Sequence, residues 1–262
     1  MGSIHPSAVI DPRAQLDSSV AVGAYSVIGP HVRIGAGTWV GPHVVIEGHT
    51  TIGQDNKLFQ FSSIGAPPQD KKWAGEPTRL EIGDRNTIRE FCTFNTGTVQ
   101  DAGVTRLGHD NWISAYVHLA HDCQVGSHTI FSNNAQLAGH VQIGDWVIMS
   151  GFANVHQFCK IGAHAFVGMS TSLTQDVPPF VLLSGNPAAA HGVNIEGLKR
   201  RGFSRVQIDA IRAAYKTIYR SGLTLEQAKA GLLAQEAASP EAAPQIGAMR
   251  TFLDGASRGI VR

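Results

Sequence analysis

The sequence predicts an all-β parallel β-helix followed by a C-terminal α-helical domain. An apolar residue recurs at every sixth position along most of the chain between residues 4 and 173. The residue four places after it is usually small or β-branched, as at Ala8, Ala14 and Val20. A strict period of six excludes a long amphipathic helix, which needs a period of 3.6, and a simple strand, which needs a period of two. It is typical of a parallel β-helix, in which three hexads close one coil.

The repeat runs in three blocks, from residue 4 to 64, from 82 to 94 and from 107 to 173. In each hexad the apolar residue is expected to fill the axis of the coil, and the small residue fits the tight space beside it. Stacked parallel strands lie about 4.8 Å apart, so roughly eight to ten coils give a rod about 45 Å long.

Two insertions interrupt the hexads and are predicted to be loops on the outside of the solenoid. The first, residues 65–80, contains three prolines and cannot continue a hydrogen-bonded ladder. The second, residues 98–106, is shorter. Loops on a rigid scaffold often carry functional residues.

The pattern changes at the proline pair 178–179, which occupies the next expected positions of the repeat and is predicted to end it. From residue 195 onward, apolar residues recur at helical spacing. Two capping boxes, Ser204 with Gln207 and Thr224 with Gln227, predict helix starts. We therefore expect a β-helix domain over residues 1–185 and a helical domain over residues 186–262.

The composition excludes several classes of protein. Hydrophobic residues make up 43% of the chain, charged residues 16%, and the net charge of +1 argues against bulk nucleic-acid binding. No run of about 18 apolar residues occurs, so no transmembrane segment is expected, and the start of the chain lacks the features of a secretory signal. Cys92, Cys123 and Cys159 have the spacing of neither a disulfide framework nor a zinc knuckle. We expect a cytoplasmic protein.

Histidines cluster between residues 116 and 140, where the side chains depart from the scaffold pattern. His118, His121 and His140 lie there, and Asp122 follows His121. Because one coil takes 18 residues, His140 lies one coil beyond Asp122, and we expect His121 and His140 to be neighbours. Some hexapeptide prisms bind zinc through three histidines and hydrate carbon dioxide. Two of their ligands are five residues apart, and no two histidines here have that spacing, so no metal site is predicted.

Acyl transfer with histidine as general base is the alternative chemistry. An alcohol is a poor nucleophile at neutral pH, and a histidine that takes its proton during attack on a thioester contributes about 10²- to 10⁴-fold. A neighbouring carboxylate holds the imidazole in the required tautomer. A backbone amide beside a glycine such as Gly139 would stabilise the oxyanion.

Several stretches, in order, make the chain resemble the UDP-N-acetylglucosamine O-acyltransferases along essentially its whole length. They are QD at 69–70, AGEPTR at 74–79, EIGDRNTIRE at 81–90, AHDC at 120–123, LAGH at 137–140, VHQF at 155–158, IGAH at 161–164, QDVPPF at 175–180, NIEGLKRRGFS at 194–204 and the RGIVR ending. The resemblance implies a left-handed coil, a homotrimer with sites between adjacent prisms, and no metal or cofactor. It implies transfer of an (R)-3-hydroxyacyl group from acyl carrier protein to the glucosamine 3-hydroxyl of UDP-N-acetylglucosamine, the first step of lipid A biosynthesis.

The resemblance also implies roles for individual residues. His121 corresponds to the catalytic base, Asp122 to its orienting partner and Gly139 to the oxyanion donor. The residues that correspond to contacts with the glucosamine and acyl groups are Asp70, Lys72, His118 and His140. Those that correspond to contacts with the nucleotide are His156, Gln157, Asn194, Glu196, Arg200 and Arg201.

The chain departs from the family pattern at two places. Many members carry His-Arg where this chain has Asn95-Thr96, so the substrate contact of that pair is expected to be altered or replaced. Met169 stands where members that accept longer acyl chains have glycine. A thioether at the closed end of an acyl groove would shorten it, so Met169 predicts a preference for an acyl chain of about ten carbons. The alternative is that Met169 only packs at a corner of the prism.

The helical domain carries a basic segment between residues 195 and 222. Its seven basic residues are Lys199, Arg200, Arg201, Arg205, Arg212, Lys216 and Arg220. Such a face would attract an acidic carrier protein, although it could also be an ordinary solvated helix face.

Two other functions remain open at this point. One is the N-acyltransferase that acts later in the same pathway, but it resembles a longer chain with a uridine-binding domain before the prism, and here the repeat already begins at Ile4. The other is a non-catalytic prism used for assembly, which would not need the AHDC and NIEGLKRRGFS stretches.

Overall fold

A computed structural model describes residues 2–256 and 258–262 and has the predicted architecture, a left-handed parallel β-helix with a C-terminal helical domain. The β-helix is a three-sided prism built from short parallel strands. Each coil contributes one strand to each face, so the three faces are described in turn.

The first face is a sheet of nine strands, which are β1 (Val9–Ile10), β4 (Val27–Ile28), β7 (Val45–Ile46), β10 (Ser63–Ala66), β13 (Thr93–Asn95), β16 (His118–Leu119), β19 (Gln136–Leu137), β22 (Asn154–Val155) and β25 (Ser172–Leu173). The second face has eight strands, which are β2 (Gln15–Leu16), β5 (Arg33–Ile34), β8 (His49–Ile52), β11 (Arg79–Ile82), β14 (Val104–Leu107), β17 (Gln124–Val125), β20 (Gln142–Ile143) and β23 (Lys160–Ile161).

The third face has ten strands, which are β3 (Ala21–Val22), β6 (Trp39–Val40), β9 (Lys57–Leu58), β12 (Thr87–Ile88), β15 (Trp112–Ile113), β18 (Ile130–Phe131), β21 (Ile148–Met149), β24 (Phe166–Val167), β26 (Val181–Ser184) and β27 (Ala189–Val193). We call the corner between the first and second faces edge I, that between the second and third edge II, and that between the third and first edge III.

The predicted hexads place the core. Each two-residue strand turns its second residue to the axis, and these residues stack in register, as Ile46, Ile64 and Phe94 do on the first face. The corners between strands are so tight that many non-glycine residues there adopt a positive φ, including Asp122, His140 and Phe158 on edge I. Residues 18 apart therefore occupy equivalent corner positions on successive coils.

Three buried asparagines replace the small inward residue of the hexads, which the sequence pattern did not predict. Asn56 Oδ1 accepts from the backbone N–H and the side-chain Nδ2 of Asn86, at 2.9 and 3.0 Å. Asn86 Oδ1 accepts in the same way from Asn111, both at 2.9 Å. Asn111 Oδ1 accepts from the N–H and hydroxyl of Thr129. This ladder joins the coils at which the two insertions lengthen the chain.

Both insertions leave the prism at edge I. The first connects β10 to β11 and comprises residues 67–78, and the second connects β13 to β14 and comprises residues 96–103. Both loops end earlier than predicted, at residues 78 and 103, because β11 and β14 are four-residue strands that pair along their whole length. The Pro-rich character of the first and the position of both agree with the prediction.

The chain continues past the proline pair that was expected to end the repeat. Strand β26 pairs in parallel with β24, and β27 then returns antiparallel to β26. The expected domain boundary after residue 185 falls in the turn of this hairpin. The prism therefore gains one more strand because the prolines lie in the corner and not in the ladder.

In the part of the chain that the structure describes, four α-helices follow: α1 (Ile195–Arg200), α2 (Arg205–Tyr219), α3 (Leu225–Ala238) and α4 (Ala243–Asp254), with a 3₁₀ turn at Pro240–Ala242 before α4. Both predicted capping boxes are present, at Ser204 with Gln207 and at Thr224 with Gln227. The helices pack around a second apolar core that includes Ile211 and Leu232. Across the described ranges, none of the helices has the length and apolarity needed to cross a bilayer.

We expect Asn86→Ala to destabilise the fold by about 2–4 kcal/mol, since it leaves the N–H groups of Asn111 unpaired in the core and opens a cavity. Asn133→Ala is the matched control, because Asn133 is exposed on a corner. Denaturant unfolding followed by circular dichroism measures both. A loss no larger in Asn86→Ala than in the control would contradict the role given to the ladder.

Candidate active site

His121 and Asp122 lie on edge I, where the chain leaves β16. His121 Nδ1 is 3.0 Å from Asp122 Oδ2. The second insertion supplies Thr98, whose N–H donates to Asp122 Oδ1 at 2.9 Å and whose hydroxyl donates to Oδ2 at 2.6 Å. The Asp122 N–H in turn donates to Thr105 Oγ1 at 2.8 Å. Asp122 is thus fixed from three sides, and it fixes the imidazole of His121.

The charge of Asp122 follows from these contacts. Its side chain is buried, and burial works to raise the pKa of the carboxyl, but the hydrogen bonds from His121 and Thr98 outweigh it and leave the pKa below its usual value. Asp122 is therefore ionised at neutral pH and accepts a hydrogen bond from His121 Nδ1. In the neutral form of this imidazole, the other ring nitrogen, Nε2, has a free lone pair that can take a proton.

Gly139 lies against the face of this imidazole, one coil above it. A Cβ atom at Gly139 would be 2.5 Å from His121 Cε1 and 2.7 Å from Nε2, so no larger residue fits there. The amides on either side, of Ala138 and His140, donate to neighbouring coils. The Gly139 amide donates to none of the groups that the structure describes.

His140 is beside His121, as the 18-residue coil predicted. The two rings are perpendicular, with centroids 5.0 Å apart. His140 Nδ1 is 2.8 Å from Asp101 Oδ2 and 3.8 Å from Asp122 Oδ2, and its ring stacks on Phe158 at 4.4 Å. Two carboxylates therefore face one imidazole.

A cleft of about 820 Å³ opens beside these side chains. Its lining residues are Gln69, Asp70, Lys71, Lys72, Gln100, Asp101, His121, His140, Gln157 and Phe158. Both insertions contribute to it. The structure thus brings together four of the residues assigned to substrate contacts: Asp70, Lys72, His140 and Gln157.

His118 and His156 lie on the prism beside this cleft. His118 Nδ1 is 2.7 Å from Thr93 Oγ1, and burial is the main cause that lowers the pKa of His118. The ring is therefore neutral at pH 7. His156 is exposed, and its Nδ1 is 3.2 Å from the carbonyl oxygen of Gln157.

The other assigned residues lie elsewhere in the same chain, around edge II. Asn194 caps helix α1 and donates from Nδ2 to the carbonyl oxygen of His164 at 3.0 Å. Arg201 Nη1 is 3.2 Å from His164 Nδ1. Glu196 pairs with Lys199 at the surface. Together with Arg200, which is exposed, this group does not meet the His121 cleft within one chain.

The two departures from the family pattern also have defined places. Met169 lies on edge III with 70% of its surface exposed, away from the His121 cleft of its own chain. Asn95 and Thr96 are buried, and they hold the base of the first insertion: Asn95 Nδ2 donates to the Pro67 carbonyl at 2.8 Å, and the Thr96 N–H donates to that of Ala66 at 3.0 Å. This pair supports a cleft-lining loop and does not line the cleft.

His121, Asp122 and His140 are close enough for one metal ion, since a ligand atom from each lies within 4.8 Å of the others. Two imidazoles and a carboxylate are ligands that suit zinc. Here, however, the Asp122 carboxylate already accepts from Thr98 and His121, so a metal would have to break these bonds. The donor set fits a hydrogen-bonded dyad better than a metal centre.

The sequence did not single out three residues that build the site: Thr98, Asp101 and Thr105. Thr98 and Asp101 lie in the second insertion and Thr105 lies in β14, directly after it, so the interruption of the hexads was their only signal. Which of its side chains turn back to the prism depends on the fold of the loop, and no periodic pattern records that.

Comparison with known proteins shows which family the chain resembles. Residues 176–261 match the family model described as UDP N-acetylglucosamine O-acyltransferase, domain 2, and residues 105–139 match that of the bacterial transferase hexapeptide. The chain is 66% identical to the acyl-(acyl-carrier-protein)–UDP-N-acetylglucosamine O-acyltransferase of Herminiimonas arsenicoxydans over the full length of both. Among solved structures, LpxA from Acinetobacter baumannii has 47% identity and a TM-score of 0.95, and the UDP-N-acetylglucosamine O-acyltransferase of Moraxella catarrhalis has 44% and 0.95. Each alignment covers 99% of both chains.

We expect Gly139→Ala to push the His121 ring away from Asp122, because the new methyl group would overlap the ring. NMR of the imidazole protons measures this as a changed chemical shift of His121. Gly192→Ala is the control, since a Cβ there meets no atom within 4 Å. A His121 signal that is the same in both variants would show that the ring tolerates the methyl group.

Proposed function

The chain belongs to the UDP-N-acetylglucosamine O-acyltransferase family, and we propose that it transfers an (R)-3-hydroxyacyl group from acyl carrier protein to the glucosamine 3-hydroxyl of UDP-N-acetylglucosamine. This reaction is the first step of lipid A biosynthesis. The His121–Asp122 dyad at a wide cleft carries the proposal, in a chain whose relatives are named for this activity. Full-length similarity to O-acyltransferases favours it over the N-acyltransferase and the assembly module.

In the proposed mechanism His121 is the general base. Nε2 takes the proton of the sugar 3-hydroxyl as the oxygen attacks the thioester carbonyl carbon, and Asp122 stabilises the imidazolium through Nδ1 without taking the proton. The Gly139 N–H would donate to the oxyanion that forms. When the carbon–sulfur bond breaks, Nε2 returns the proton to the thiolate of the carrier. No metal or cofactor is needed for these steps.

We also propose that the active unit is a homotrimer, and the chemistry of the three faces supports it. The outward residues of the first face include the exposed Val9, Val27 and Val45, and those of the third face the exposed Trp39, Trp112 and Ile130. A ladder of stacked, exposed rings runs along edge III, where these faces meet: Tyr25, His43, Phe61, Phe91 and Tyr116. The second face is polar, with outward Gln15, Arg33, Thr51, Glu81, Arg106, Gln124, Gln142 and Lys160. Apolar surface of this extent typically marks a protein interface.

A threefold arrangement would place edge III near the axis and set the first face of one prism against the third face of the next. Edge I of one chain would then meet edge II of its neighbour. This would bring Asn194 and Arg201 of one chain toward the His121 cleft of another, which accounts for their separation within a single chain. The nucleotide contacts assigned to them are proposed on that basis, with those of Glu196 and Arg200, while Asp70, Lys72, His118, His140, His156 and Gln157 would act from the edge I side.

Acyl carrier protein is the proposed donor, and helix α2 is its proposed docking surface. Arg212, Lys216 and Arg220 are exposed around a cleft of about 410 Å³ beside this helix. Carrier proteins are acidic, so complementary charge would raise the rate of association.

Cys92, Cys123 and Cys159 are buried free thiols, which fits the proposed cytoplasmic location, where thiols stay reduced.

Met169 is the proposed ruler of the acyl chain. In the proposed trimer, edge III lies between neighbouring prisms, and an acyl chain that enters from the cleft would end near it. The flexible thioether would fill the end of the groove. We infer a preference for about ten carbons.

We expect His121→Ala to lower kcat about 10²- to 10⁴-fold, because it removes the general base. A coupled assay with hydroxyacyl carrier protein and UDP-N-acetylglucosamine measures the rate, and light scattering measures the mass of the assembly, which we expect to remain that of a trimer. His49→Ala changes an exposed histidine of strand β8 and is the control, which should keep its rate. Turnover of His121→Ala near that of the control would refute the assignment.

We expect Met169→Gly to shift the preferred donor toward longer chains, since it would reopen the end of the groove. The ratio of kcat/KM for donors of 10 and 14 carbons, compared between wild type and variant, measures the shift. An unchanged ratio would mean that Met169 only packs at the corner.

A further inference from the structure

Arg201 is a half-buried guanidinium with an unusual environment. Within residues 2–256 and 258–262, no carboxylate lies within 4.0 Å of it, whereas Arg85, Arg106 and Arg250 each pair with one. Burial lowers the pKa of Arg201, which reflects the cost of taking its charge out of water. An unpaired, partly desolvated cation is unfavourable unless an anion completes the site.

Two side chains hold this guanidinium in place. Arg201 Nη1 is 3.2 Å from His164 Nδ1, and its central carbon lies 5.2 Å from the centroid of the Trp146 ring. Arginine can only donate hydrogen bonds, so Nδ1 of His164 must accept and its proton must be on Nε2. The Trp146 face attracts the cation from a second direction.

His164 keeps this acceptor at neutral pH. Burial and, next, the charge of Arg201 lower the pKa of His164 to about 4, against an opposing contribution from Asp145. The ring is therefore neutral in any cytoplasmic condition. A protonated ring would instead repel the guanidinium.

The ring of His164 cannot turn away, because it is packed in an aromatic column. It stacks with Trp146 at 6.2 Å and with Phe180 at 5.5 Å, and Phe203 meets it edge-on at 5.1 Å. His128 stacks on Trp146 at 4.3 Å, and within the described part of the chain the side-chain hydrogen bond of Arg201 goes to His164 and not to His128. The column thus orients the acceptor before any ligand arrives.

We propose that His164 and Trp146 are positioning residues that pre-organise Arg201 to bind the diphosphate of the nucleotide sugar. Arginine loses much rotamer freedom when it binds an anion, and a side chain already held in place loses less. The inference rests on the proposed role of Arg201 in nucleotide binding, and it adds two residues that need not touch the substrate.

The test compares His164→Phe with His128→Phe in the full-length enzyme. His164→Phe keeps a stacking ring and removes the acceptor. We expect it to raise KM for UDP-N-acetylglucosamine about three- to tenfold, with kcat and the KM for acyl carrier protein within about twofold. His128→Phe should leave all three within about twofold. Inhibition by UDP should weaken with His164→Phe by the same factor as KM, whereas inhibition by uridine, which lacks phosphate, should not.

A double-mutant cycle with Arg201→Ala separates this inference from the proposed function. We expect Arg201→Ala alone to raise KM, and His164→Phe to add less than about twofold in that background, because the group it positions is gone. If the increase in KM of the double variant equals the product of the increases of the two single variants, His164 does not act through Arg201. If Arg201→Ala leaves KM unchanged, the nucleotide contact itself is wrong and the positioning role falls with it.

Two further variants extend the test, and the first of them serves if His164→Phe does not fold. Thermal melting shows whether His164→Phe folds. If it does not, Trp146→Phe takes its place in the double-mutant cycle. We expect Trp146→Phe to raise KM by a smaller factor, and this rise should also disappear in the Arg201→Ala background. His164→Asn restores an acceptor oxygen and should recover part of the lost affinity. An Asn variant no better than Phe would overturn the proposed acceptor role.

Discussion

The closure of each coil at 18 residues is the constraint on which the site depends. Coils can stack only if their strands stay in register, and the corners between strands then repeat at fixed positions. Among the described residues, the non-glycine residues of edge I with positive φ, Asp122, His140 and Phe158, therefore stand one above another. The backbone positions of the candidate site are thus set by the stacking of the coils, although its residues are 18 or more positions apart in sequence.

The two insertions depart from the 18-residue coil, and both do so at edge I, beside the candidate site. Across the first, strand partners are 30 residues apart, as in His49 with Arg79, and across the second they are 25 apart, as in Arg79 with Val104. Each loop leaves and rejoins the prism at edge I, so the register above and below is preserved. The added chain returns Thr98 to Asp122 and Asp101 to His140. The buried asparagine ladder keeps these interrupted coils joined on their inner side.

Much of the fold could be predicted from the sequence, because the place of a residue in the repeat gives its place in the coil. The hexads located the core, the capping residues located the helices, and the 18-residue period placed His140 beside His121. The hexad pattern gives no information about contacts that do not repeat along the chain. Asn86 occupies an inward slot that usually takes a small residue, and Asp101 lies in a loop whose path depends on many weak contacts. The hairpin after the proline pair was missed because a corner tolerates proline and a ladder does not.

Two unfavourable features of the single chain have one physical solution in the proposed trimer. The exposed apolar residues of the first and third faces cost free energy in water, and the unpaired guanidinium of Arg201 costs free energy where it is partly desolvated. Association through these two faces would remove the first cost. The same association would carry Arg201 to the cleft of a neighbouring chain, where a bound diphosphate would remove the second. Stability of the assembly and affinity for the nucleotide would then be coupled, since each depends on the same contact between edge I and edge II.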